Sequence, residues 1–375
     1  MDQHNSDMTE VVDVVVNVLT DADLLSHILR TLGMQGIMRV ACVCSTWHLA
    51  CTCVLKSWCC LTLEHSKVLR GAPCLLASAA TGRLLTTEAV GARMAHVCVL
   101  SPSLDLLHTI GGRCPEEPRL ARPTGVAATD DGEFIFIADA EMGRLQRYSL
   151  TTGETCTIRP PSLGRAFTWQ NSWDPYGIAM KPQPGGDPLL FLADSRWHRI
   201  VVLRGACNVK PDVTVASHWG QHGDAEGEFD HPRGLAVEPK TALLWVCDRG
   251  NDRIQIFTAS GRFVRQLGGH GTAPGRMRGP YALVFIADGR AVVSEFEGRR
   301  VQVFGVEDGA PLQTLTLPLD VDSNRFPCPT GLALHGEDCL VVGQFTGEAK
   351  LHVYRVARVL HMDGCCASLC ALSVT

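Results

Sequence analysis

The stretch CDRGNDRIQIF, residues 247 to 257, places the acidic Asp248 five positions before the basic Arg253, with a Gly-Asn turn between them. Aligning the chain on the acidic residue gives six equivalent positions: Glu88, Asp139, Asp194, Asp248, Glu295 and, with an amide instead, Gln344. Successive positions are 51, 55, 54, 47 and 49 residues apart. This regular spacing indicates six copies of one structural unit.

Each copy has the pattern of four short strands. The run before the acidic residue is apolar, as in Phe134 to Ala138, and the run after the basic residue alternates, as with Ile254 and Ile256. Pro-x-Gly opens an apolar run at 123, 175, 232 and 329, with Pro-Tyr-Ala at 280 as a variant. Radial repetition of four-stranded units describes a β-propeller, so we predict a mainly β fold with a six-bladed propeller over residues 66–362.

The acidic and basic residues are predicted to pair across a hairpin. The carboxylate ends the second strand and the guanidinium begins the third, where a charge-assisted hydrogen bond can lock the turn. The pairs are Glu88 with Arg93, Asp139 with Arg144, Asp194 with Arg199, Asp248 with Arg253, and Glu295 with Arg300. We predict no catalytic residue among them, because catalytic groups are seldom copied around a ring. The sixth copy has Gln344 and Lys350, so its hairpin is expected to be looser.

These motifs resemble those of NHL-repeat proteins, which share the Pro-x-Gly start, an ADSGNHRIQVF-like hairpin and a glycine-rich connector. The copy at 232 to 280 and the connector WGQHGDAEGEFDHP at 219 to 232 carry the resemblance best. It covers about residues 66 to 362 and implies a six-bladed propeller. The outer strand of the last blade is expected from either Arg358 to Met362 or the segment around Leu61 to Glu64.

Residues 18–65 have a different, helical pattern. Leu24, Leu25, Ile28, Leu29 and Leu32 follow at helical spacing after a capping sequence, and Gly33 ends the run. The stretch from 19 to 58 resembles an F-box, with Thr20 where that motif has Pro. The resemblance implies docking to the adaptor of a cullin-RING ubiquitin ligase through Leu19, Leu24, Leu25, Ile28, Leu29, Leu32, Val43 and Trp47. The alternative is a helical cap packed on the propeller.

Metal sites and cofactors are not predicted. The cysteines at 42, 44, 51, 53, 59 and 60 form C-x-C and CC pairs, which do not have the Cys-x2-Cys spacing of zinc modules. His218 and His222 are four residues apart but are not on a helix, so we expect loop histidines without a metal. Some NHL-like propellers are metal-dependent lyases or lactone hydrolases. No converging set of carboxylates and histidines can be recognised from the repeats, so a non-catalytic protein is predicted.

Function is expected on one face of the propeller, where the hairpins and the connectors between blades open. Pro-x-Gly contributes Thr124, Tyr176, Arg233, Tyr281 and Thr330, the hairpins contribute Trp197, His198, Arg249, Asn251, Phe296, Arg299 and Phe345, and the connectors contribute Trp173, Phe229, Arg276 and Arg278. Aromatic residues with arginine are typical of protein-binding hot spots. We select Tyr176, Trp197, Arg233, Arg249, Arg278, Tyr281, Phe296 and Phe345 as the binding residues.

Composition and charge limit the other classes of protein to which the chain can belong. With 46% hydrophobic and 19% charged residues, a packed globular protein is expected between a flexible segment at 1–17 and a Cys-rich tail at 363–375. The apolar run at 11 to 19 is broken by Asp13 and Asn17, so neither a membrane span nor a secretory leader is predicted, and reduced thiols in the cytoplasm or nucleus are expected.

The predicted function is that of a substrate-recognition subunit, monomeric within a cullin-RING ligase, that binds a target protein on the propeller face. The alternatives are a non-catalytic scaffold and binding of single-stranded RNA, which some NHL propellers bind. Residues 248 to 300 contain nine Arg, no Lys and five acidic residues, which suits stacking with nucleic-acid bases. The net charge of -5 over the chain places RNA second.

Overall fold

The structure is a computed structural model that describes residues 61–69, 72–79, 82–90, 94–111, 119–159, 173–183, 186–207, 213–286, 289–318, 327–336, 339–345 and 349–356. The helices predicted within 18–60, with every proposed adaptor-binding residue, lie outside these ranges, as do the segments 1–17 and 363–375. Within the described residues, two single-turn 3₁₀ helices, Ser195–Trp197 and Arg249–Asn251, accompany the strands. No helix in this part of the chain is long and apolar enough to cross a membrane.

The described residues form 24 strands. In chain order they are β1 (Leu61–Val68), β2 (Ala72–Ser78), β3 (Leu84–Val90), β4 (Met94–Leu100), β5 (Leu106–Gly111), β6 (Pro123–Ala128), β7 (Phe134–Asp139), β8 (Arg144–Ser149), β9 (Thr155–Ile158), β10 (Pro175–Gln183), β11 (Gly186–Asp194), β12 (Arg199–Arg204), β13 (Thr214–Trp219), β14 (Pro232–Val237), β15 (Leu244–Asp248), β16 (Arg253–Phe257), β17 (Phe263–Gly268), β18 (Pro280–Ile286), β19 (Arg290–Glu295), β20 (Arg300–Gly305), β21 (Pro311–Leu315), β22 (Pro329–His335), β23 (Cys339–Gln344) and β24 (Lys350–Val356).

These strands form six four-stranded antiparallel sheets, so the predicted six-bladed propeller is confirmed. Blades 1 to 5 each consist of four consecutive strands, namely β2–β5, β6–β9, β10–β13, β14–β17 and β18–β21. Blade 6 has the order β1-β24-β23-β22. The innermost strands β2, β6, β10, β14, β18 and β22 contact one another in sequence, and β22 contacts β2, which closes the ring.

The first strand of the described chain closes the ring by completing its last blade. Leu61 pairs with Val356 and Val68 with Lys350, so β1 is the outer strand of blade 6. Of the two segments considered for this edge, the one around Leu61 to Glu64 occupies it, while Arg358 to Met362 lies outside the described residues. The sheet therefore includes residues 61–65, which the sequence pattern had grouped with the helical region.

Pro-x-Gly marks the start of an inner strand, where neighbouring blades approach most closely. A Cβ on Gly125 would lie 1.9 Å from the carbonyl oxygen of Tyr176, and one on Gly177 would lie 2.2 Å from that of Arg233. Because each glycine meets backbone of the next blade, only the absence of a side chain allows this approach.

The core lies between adjacent blades. Trp245 of blade 4 packs edge-on against Phe285 of blade 5, with ring centroids 5.2 Å apart. The inner three strands of each blade are mostly buried, whereas the fourth strand alternates in exposure, as in Thr214–Trp219 of blade 3. The alternation follows from a strand with one face against the next blade and the other toward solvent.

The hairpins, the starts of the inner strands and the connectors all lie on one side of the propeller, here named the hairpin face. In blade 4, Pro232 pairs with Asp248, Asp248 with Arg253, and Arg253 with Gly268, so the four strand ends are aligned. The same alignment holds in blade 2, where Pro123 pairs with Asp139. The register therefore brings loops that are distant in sequence to one surface.

In blade 4 the acidic and basic residues bind each other and the incoming connector. Arg253 Nε donates to Asp248 Oδ2 at 2.8 Å, and the backbone N–H of Asp230 donates to Asp248 Oδ1 at 2.7 Å. The remaining nitrogens of Arg253 donate to the connector carbonyls of Asp224 at 2.6 Å and Ala225 at 2.9 Å. The pair thus anchors the connector between blades as well as the turn.

The same contact recurs in three other blades. Arg144 Nε lies 3.2 Å from Asp139 Oδ2, Arg199 Nε 2.9 Å from Asp194 Oδ2, and Arg300 Nε 2.9 Å from Glu295 Oε1. All three carboxylates also accept a backbone N–H from the segment that precedes their blade's inner strand, given by Arg122, Asp174 and Arg278 respectively. These hydrogen bonds are sufficient to explain why the carboxylates are buried, without a role in catalysis.

Blades 1 and 6 differ from this arrangement. In blade 1 the strand register places Glu88 opposite His96, with His96 Nε2 3.6 Å from Glu88 Oε2. Arg93, the partner predicted for Glu88, lies outside the described residues. In blade 6, Gln344 accepts from His352 at 2.7 Å. A neutral hydrogen bond there replaces the ion pair.

Candidate functional site

The residue that follows the first proline of each inner strand occupies an equivalent position in all six blades. In blades 2 and 6 it is a buried threonine that links blades: Thr124 Oγ1 donates to the carbonyl of Pro175 at 2.7 Å, and Thr330 Oγ1 to that of Pro73 at 3.0 Å. The hydroxyl hydrogens of these two threonines are therefore used within the fold. The other four positions, Cys74, Tyr176, Arg233 and Tyr281, form what we name the channel cluster.

Residues of the channel cluster contact each other across the ring. The hydroxyl oxygens of Tyr176 and Tyr281 are 2.5 Å apart, and their rings meet edge to face at 5.8 Å. Cys74 Sγ lies 3.0 Å from the Tyr281 hydroxyl and 3.6 Å from that of Tyr176. The guanidinium carbon of Arg233 lies 3.6 Å from the centroid of the Tyr176 ring, which is a cation-π contact.

Burial sets the protonation states in this cluster. It raises the pKa of Tyr281 and of Tyr176, so both phenols are neutral and can share a hydrogen bond. Burial also raises the pKa of the Cys74 thiol, against the smaller opposing effect of its hydrogen bond with Tyr281. A thiol held in its neutral form is a poor nucleophile, so this geometry does not activate Cys74 for covalent chemistry.

Aromatic and arginine side chains extend from the channel cluster to the surface. Phe296 stacks on Tyr281 at a centroid distance of 5.6 Å, and Phe345 lies 5.8 Å from Phe296 and is 45% exposed. The guanidinium carbon of Arg249 lies 5.9 Å from the Phe296 centroid. We name this set the aromatic–arginine surface; it consists of Tyr176, Arg233, Arg249, Tyr281, Phe296 and Phe345.

Both arginines of this surface retain an unused donor. The Nε atoms of Arg233 and Arg249 are buried and have no hydrogen-bond acceptor among the described residues. Arg249 also forms an ion pair with Glu297 through another nitrogen. A buried N–H without an acceptor costs free energy, so a bound group whose oxygen either guanidinium turned to meet would be stabilised.

Two selected binding residues lie elsewhere on the hairpin face. Trp197 is 43% exposed in the blade 3 hairpin, with its ring 5.9 Å from the guanidinium carbon of Arg199. Arg278 is exposed in the connector to blade 5, where its backbone N–H donates to Glu295. The structure therefore brings six of the eight selected residues into one contiguous set, in which Tyr176 and Tyr281 are only 7% exposed, and leaves these two on neighbouring loops.

Two connector aromatics expected on this face are buried instead. Trp173 is 3% exposed, and Phe229 is fully buried, with its ring 5.5 Å from that of Phe257. The expectation was wrong because these rings fill the space between blades. Asn251 is also committed to the fold, since its amide donates to Asp248 Oδ2 and to the carbonyl of Gly223, each at 2.9 Å.

Sequence reasoning missed Cys74. Blade 1 begins Pro73-Cys74-Leu75, without the glycine that marks four of the other five inner strands. A signal was available, because Pro73 precedes Glu88 by 15 residues, the same spacing as between Pro280 and Glu295. Where the glycine is missing, the hydroxyl of Thr87 bonds both the backbone of Leu75 and the carbonyl of Thr124 in the next blade.

The fold and this surface define a six-bladed β-propeller with an aromatic face. No protein-family model matches the chain. Among curated proteins, the chain is 34% identical over 125 residues to peptidyl-glycine alpha-amidating monooxygenase A of Xenopus laevis, covering 32% of this chain and 13% of the relative. It is 33% identical over 94 residues to the E3 ubiquitin-protein ligase TRIM71 of Rattus norvegicus, covering 24% and 11%.

A third relative, NHL repeat-containing protein 2 of Homo sapiens, is 27% identical over 169 residues, covering 41% of this chain and 23% of the relative. The matches support NHL-type repeats in the propeller. The chain spans less than a quarter of the length of each of these relatives.

Solved structures support the fold alone. The β-propeller domain of Cps50 (Swd1) from Myceliophteria thermophila has a TM-score of 0.52 at 8% identity, covering 80% of this chain and all of that one. Virginiamycin B lyase of Staphylococcus aureus has a TM-score of 0.50 at 15% identity, covering 78% and 88%. At such identities the likeness carries no information on activity.

Proposed function

We propose that the protein is the substrate-recognition subunit of a cullin-RING ubiquitin ligase, in which the aromatic–arginine surface binds the target. The observations that carry target binding are the exposed Phe345, whose ring lies 5.8 Å from that of Phe296, and the Nε donors of Arg233 and Arg249, which have no acceptor among the described residues. A peptide segment that places an apolar side chain near Phe345 and a carboxylate or carbonyl near Arg233 would satisfy both features.

The ligase part of the proposal rests on the F-box-like pattern of residues 19 to 58, and the similarity to a ubiquitin ligase, TRIM71, is consistent with it. Such a subunit performs no chemistry itself. It raises the effective concentration of a target lysine near the charged ubiquitin-conjugating enzyme. Cys74, held as a neutral thiol, fits this non-catalytic role. The same proposal places the protein in the cytoplasm or nucleus.

The first test is a pull-down of the purified chain with the cullin adaptor, alongside the double variant Leu25→Asp/Trp47→Asp. We expect the wild type to bind and the double variant to lose binding while its propeller melts at an unchanged temperature. Failure of the wild type to bind the adaptor would reject the ligase assignment, leaving an interaction scaffold.

Target recognition is tested separately by selecting displayed peptides on the purified chain. We expect enriched peptides to combine an apolar or aromatic residue with a neighbouring acidic one. Binding of a selected peptide should fall at least tenfold for Phe345→Ala and for Arg233→Gln, and stay unchanged for Val264→Ala, which removes an exposed side chain on an outer strand. Equal binding by all three variants would exclude this surface as the target site.

RNA is the second candidate, favoured by the exposed Arg276, Arg278 and Arg299 on the hairpin face. Three of the other six arginines between 248 and 300 form ion pairs within the fold: Arg253 and Arg300 with buried carboxylates, and Arg249 with Glu297. Because these three arginines are not available to phosphate groups, a protein ligand is favoured over RNA. Fluorescence anisotropy with a single-stranded oligonucleotide decides between them, because RNA binding would weaken steeply as salt rises.

A further inference from the structure

Three histidines and a carboxylate meet on the hairpin face between blades 3 and 4. His198 belongs to the hairpin between β11 and β12, whereas His222, Asp230 and His231 belong to the connector that leads to β14. The ring centroid of His198 lies 4.5 Å from that of His222 and 4.6 Å from that of His231. This cluster is separate from the aromatic–arginine surface and has no part in the function proposed above.

The distances between the three ligand atoms are slightly longer than those around a bound zinc ion. Asp230 Oδ1 lies 3.6 Å from His198 Nδ1 and 3.7 Å from His222 Nε2, and the three ligand atoms are all within 4.8 Å of one another. Ligand atoms about 2.0–2.1 Å from a tetrahedral zinc ion are roughly 3.3 Å apart. His222 is 70% exposed, so its ring has room to move toward the other two ligand atoms.

His231 acts on the carboxylate and not as a fourth ligand. Its Nδ1 lies 2.6 Å from Asp230 Oδ1, which is a hydrogen-bond distance and too short for two ligands of one ion. A second imidazole that donates to a ligating carboxylate orients it, as outer-shell partners of metal sites do.

The ligand atom of His198 is its Nδ1, which carries the lone pair that a metal requires of an imidazole. At present His198 Nδ1 accepts the backbone N–H of His231 at 3.1 Å. Metal coordination by His198 Nδ1 replaces this hydrogen bond. The N–H of His231 can then bond to water, because His231 is half-exposed.

The next connector shows which part of this cluster the repeat needs for folding. There Asp252 stands at the position of His198, and both have a positive φ, 55° and 51° respectively. Asp252 Oδ1 accepts the backbone N–H of Gly279 at 2.6 Å, as His198 accepts that of His231. In both blades, therefore, the residue at this position is needed to accept a backbone N–H of the connector.

Accepting this backbone N–H does not explain the presence of His222 and Asp230. His270 is equivalent to His222, but Arg278 stands where blade 3 has Asp230, so the second connector offers one carboxylate and one imidazole, with an arginine in place of the third ligand. A complete ligand set is present between blades 3 and 4 and not at the equivalent place between blades 4 and 5.

We propose that His198, His222 and Asp230 form a binding site for a divalent transition-metal ion of the zinc class, which joins the blade 3 hairpin to the connector. Imidazole nitrogens with one carboxylate are ligands that suit zinc. The fourth position is open to water on the hairpin face. This departs from the expectation of loop histidines without a metal, which considered His218 and His222 and not the pairing of His222 with His198.

The test uses the full purified chain, stripped with a chelator, and titrates Zn²⁺ by calorimetry and Co²⁺ by visible absorption. The variants are His222→Ala, Asp230→Asn and, as the matched control in the next connector, His270→Ala. We expect one high-affinity site in the wild type and in His270→Ala. In His222→Ala and Asp230→Asn its affinity should be at least tenfold weaker, with a corresponding loss of the Co²⁺ d–d bands.

Cysteine thiolates elsewhere in the chain also bind zinc, so the difference between variants is the measured quantity. Cobalt bound at the proposed site should lack sulfur-to-metal charge-transfer absorption, and Zn²⁺ should raise the melting temperature of the wild type but not of His222→Ala. Equal affinity and stoichiometry in wild type and His222→Ala would overturn the proposal. Equal losses in His270→Ala and His222→Ala would also overturn it, because binding would then be unspecific. His222 is exposed, so its variant is expected to fold normally.

Discussion

Asp248 and Arg253 hold three segments together through their side chains alone. Asp248 Oδ2 accepts from Arg253, Asn251 and Gln255, and Oδ1 accepts the N–H of Asp230. The carboxylate is fully buried and Arg253 is 7% exposed, so neither charge can turn to water if the partner is lost. This separates the pair from surface ion pairs, whose loss costs little.

Asp248→Asn is expected to destabilise the protein by about 3–5 kcal/mol, because one orientation of the amide directs its NH₂ at Arg253 and the other directs it at the N–H of Asp230. The free energy of unfolding in urea measures this. The control is Arg122→Ala, which removes the half-exposed partner of Asp174 and should cost less than about 1 kcal/mol. Similar losses for both variants would mean that burial does not decide the strength of the pair.

His352 makes stability depend on pH. It lies between Ser66 Oγ and Gln344 Oε1, each at 2.7 Å, and burial lowers its pKa to about 4. In the unfolded chain the pKa of histidine is about 6.5. As the pH falls below that value the unfolded state takes up a proton that the folded state refuses, so stability decreases.

Between pH 7 and pH 5 the wild type is expected to lose about 1–2 kcal/mol more than His352→Gln, measured by urea unfolding at both values. Glutamine keeps a donor and an acceptor at the position without a titrating ring. An identical pH dependence in the two proteins would show that the pKa of His352 is the same in the folded and unfolded states.

At the scale of the element, the inner strands are restricted by their glycines. Gly177 of β10 faces the carbonyl of Arg233 in the next blade, where a Cβ would lie 2.2 Å away. The obstacle is backbone and cannot rotate aside. Gly186, in β11 of the same blade, has nothing within 4 Å of the equivalent position.

Gly177→Ala is therefore expected to destabilise the protein by about 3 kcal/mol or more, since the blades must separate to admit the methyl group. Gly186→Ala should change stability by less than about 1 kcal/mol. The measurement is the thermal unfolding of both variants, which carry the same substitution at two positions of one blade. A stable Gly177→Ala would show that neighbouring inner strands can shift apart without cost.

At the scale of the whole molecule, one strand from the N-terminal side closes the ring. β1 pairs with β24 along seven residue pairs from Leu61 to Val68, and Arg355 forms an ion pair with Glu64 at 2.6 Å. Without β1, blade 6 would have three strands and β24 would expose an unpaired edge. The ring therefore depends on contacts between the two ends of the described chain.

A chain that begins at residue 70 is expected to be less stable than one that begins at residue 61, by on the order of 5 kcal/mol, because the last blade loses its outer strand. Urea unfolding measures the difference. Hydrogen exchange should locate it first in β24, whose edge amides lose their partners. Equal stability of the two chains would mean that blade 6 does not need β1.

Local sequence patterns predict much of this architecture. The hairpin, a carboxylate and a guanidinium five residues apart, is a short-range structure, and its recurrence predicts the number of blades. Pro-x-Gly likewise predicts where four of the six inner strands begin, because it recurs at the same place in the repeat, although its glycine is required by the backbone of the next blade. Tyr176, Arg233 and Tyr281 were therefore found at the channel from their place in the repeat.

Contacts across the ring were decided by the tertiary structure. Tyr176 and Tyr281 share a hydrogen bond, Cys74 joins them from a blade that lacks the glycine, and His198 meets His222 and Asp230 from a different loop. The rotation from one blade to the next sets these distances, and no pattern within a single repeat encodes that rotation. The amino-acid sequence by itself determined the repeat and its hairpins, whereas closure of the ring decided which side chains meet.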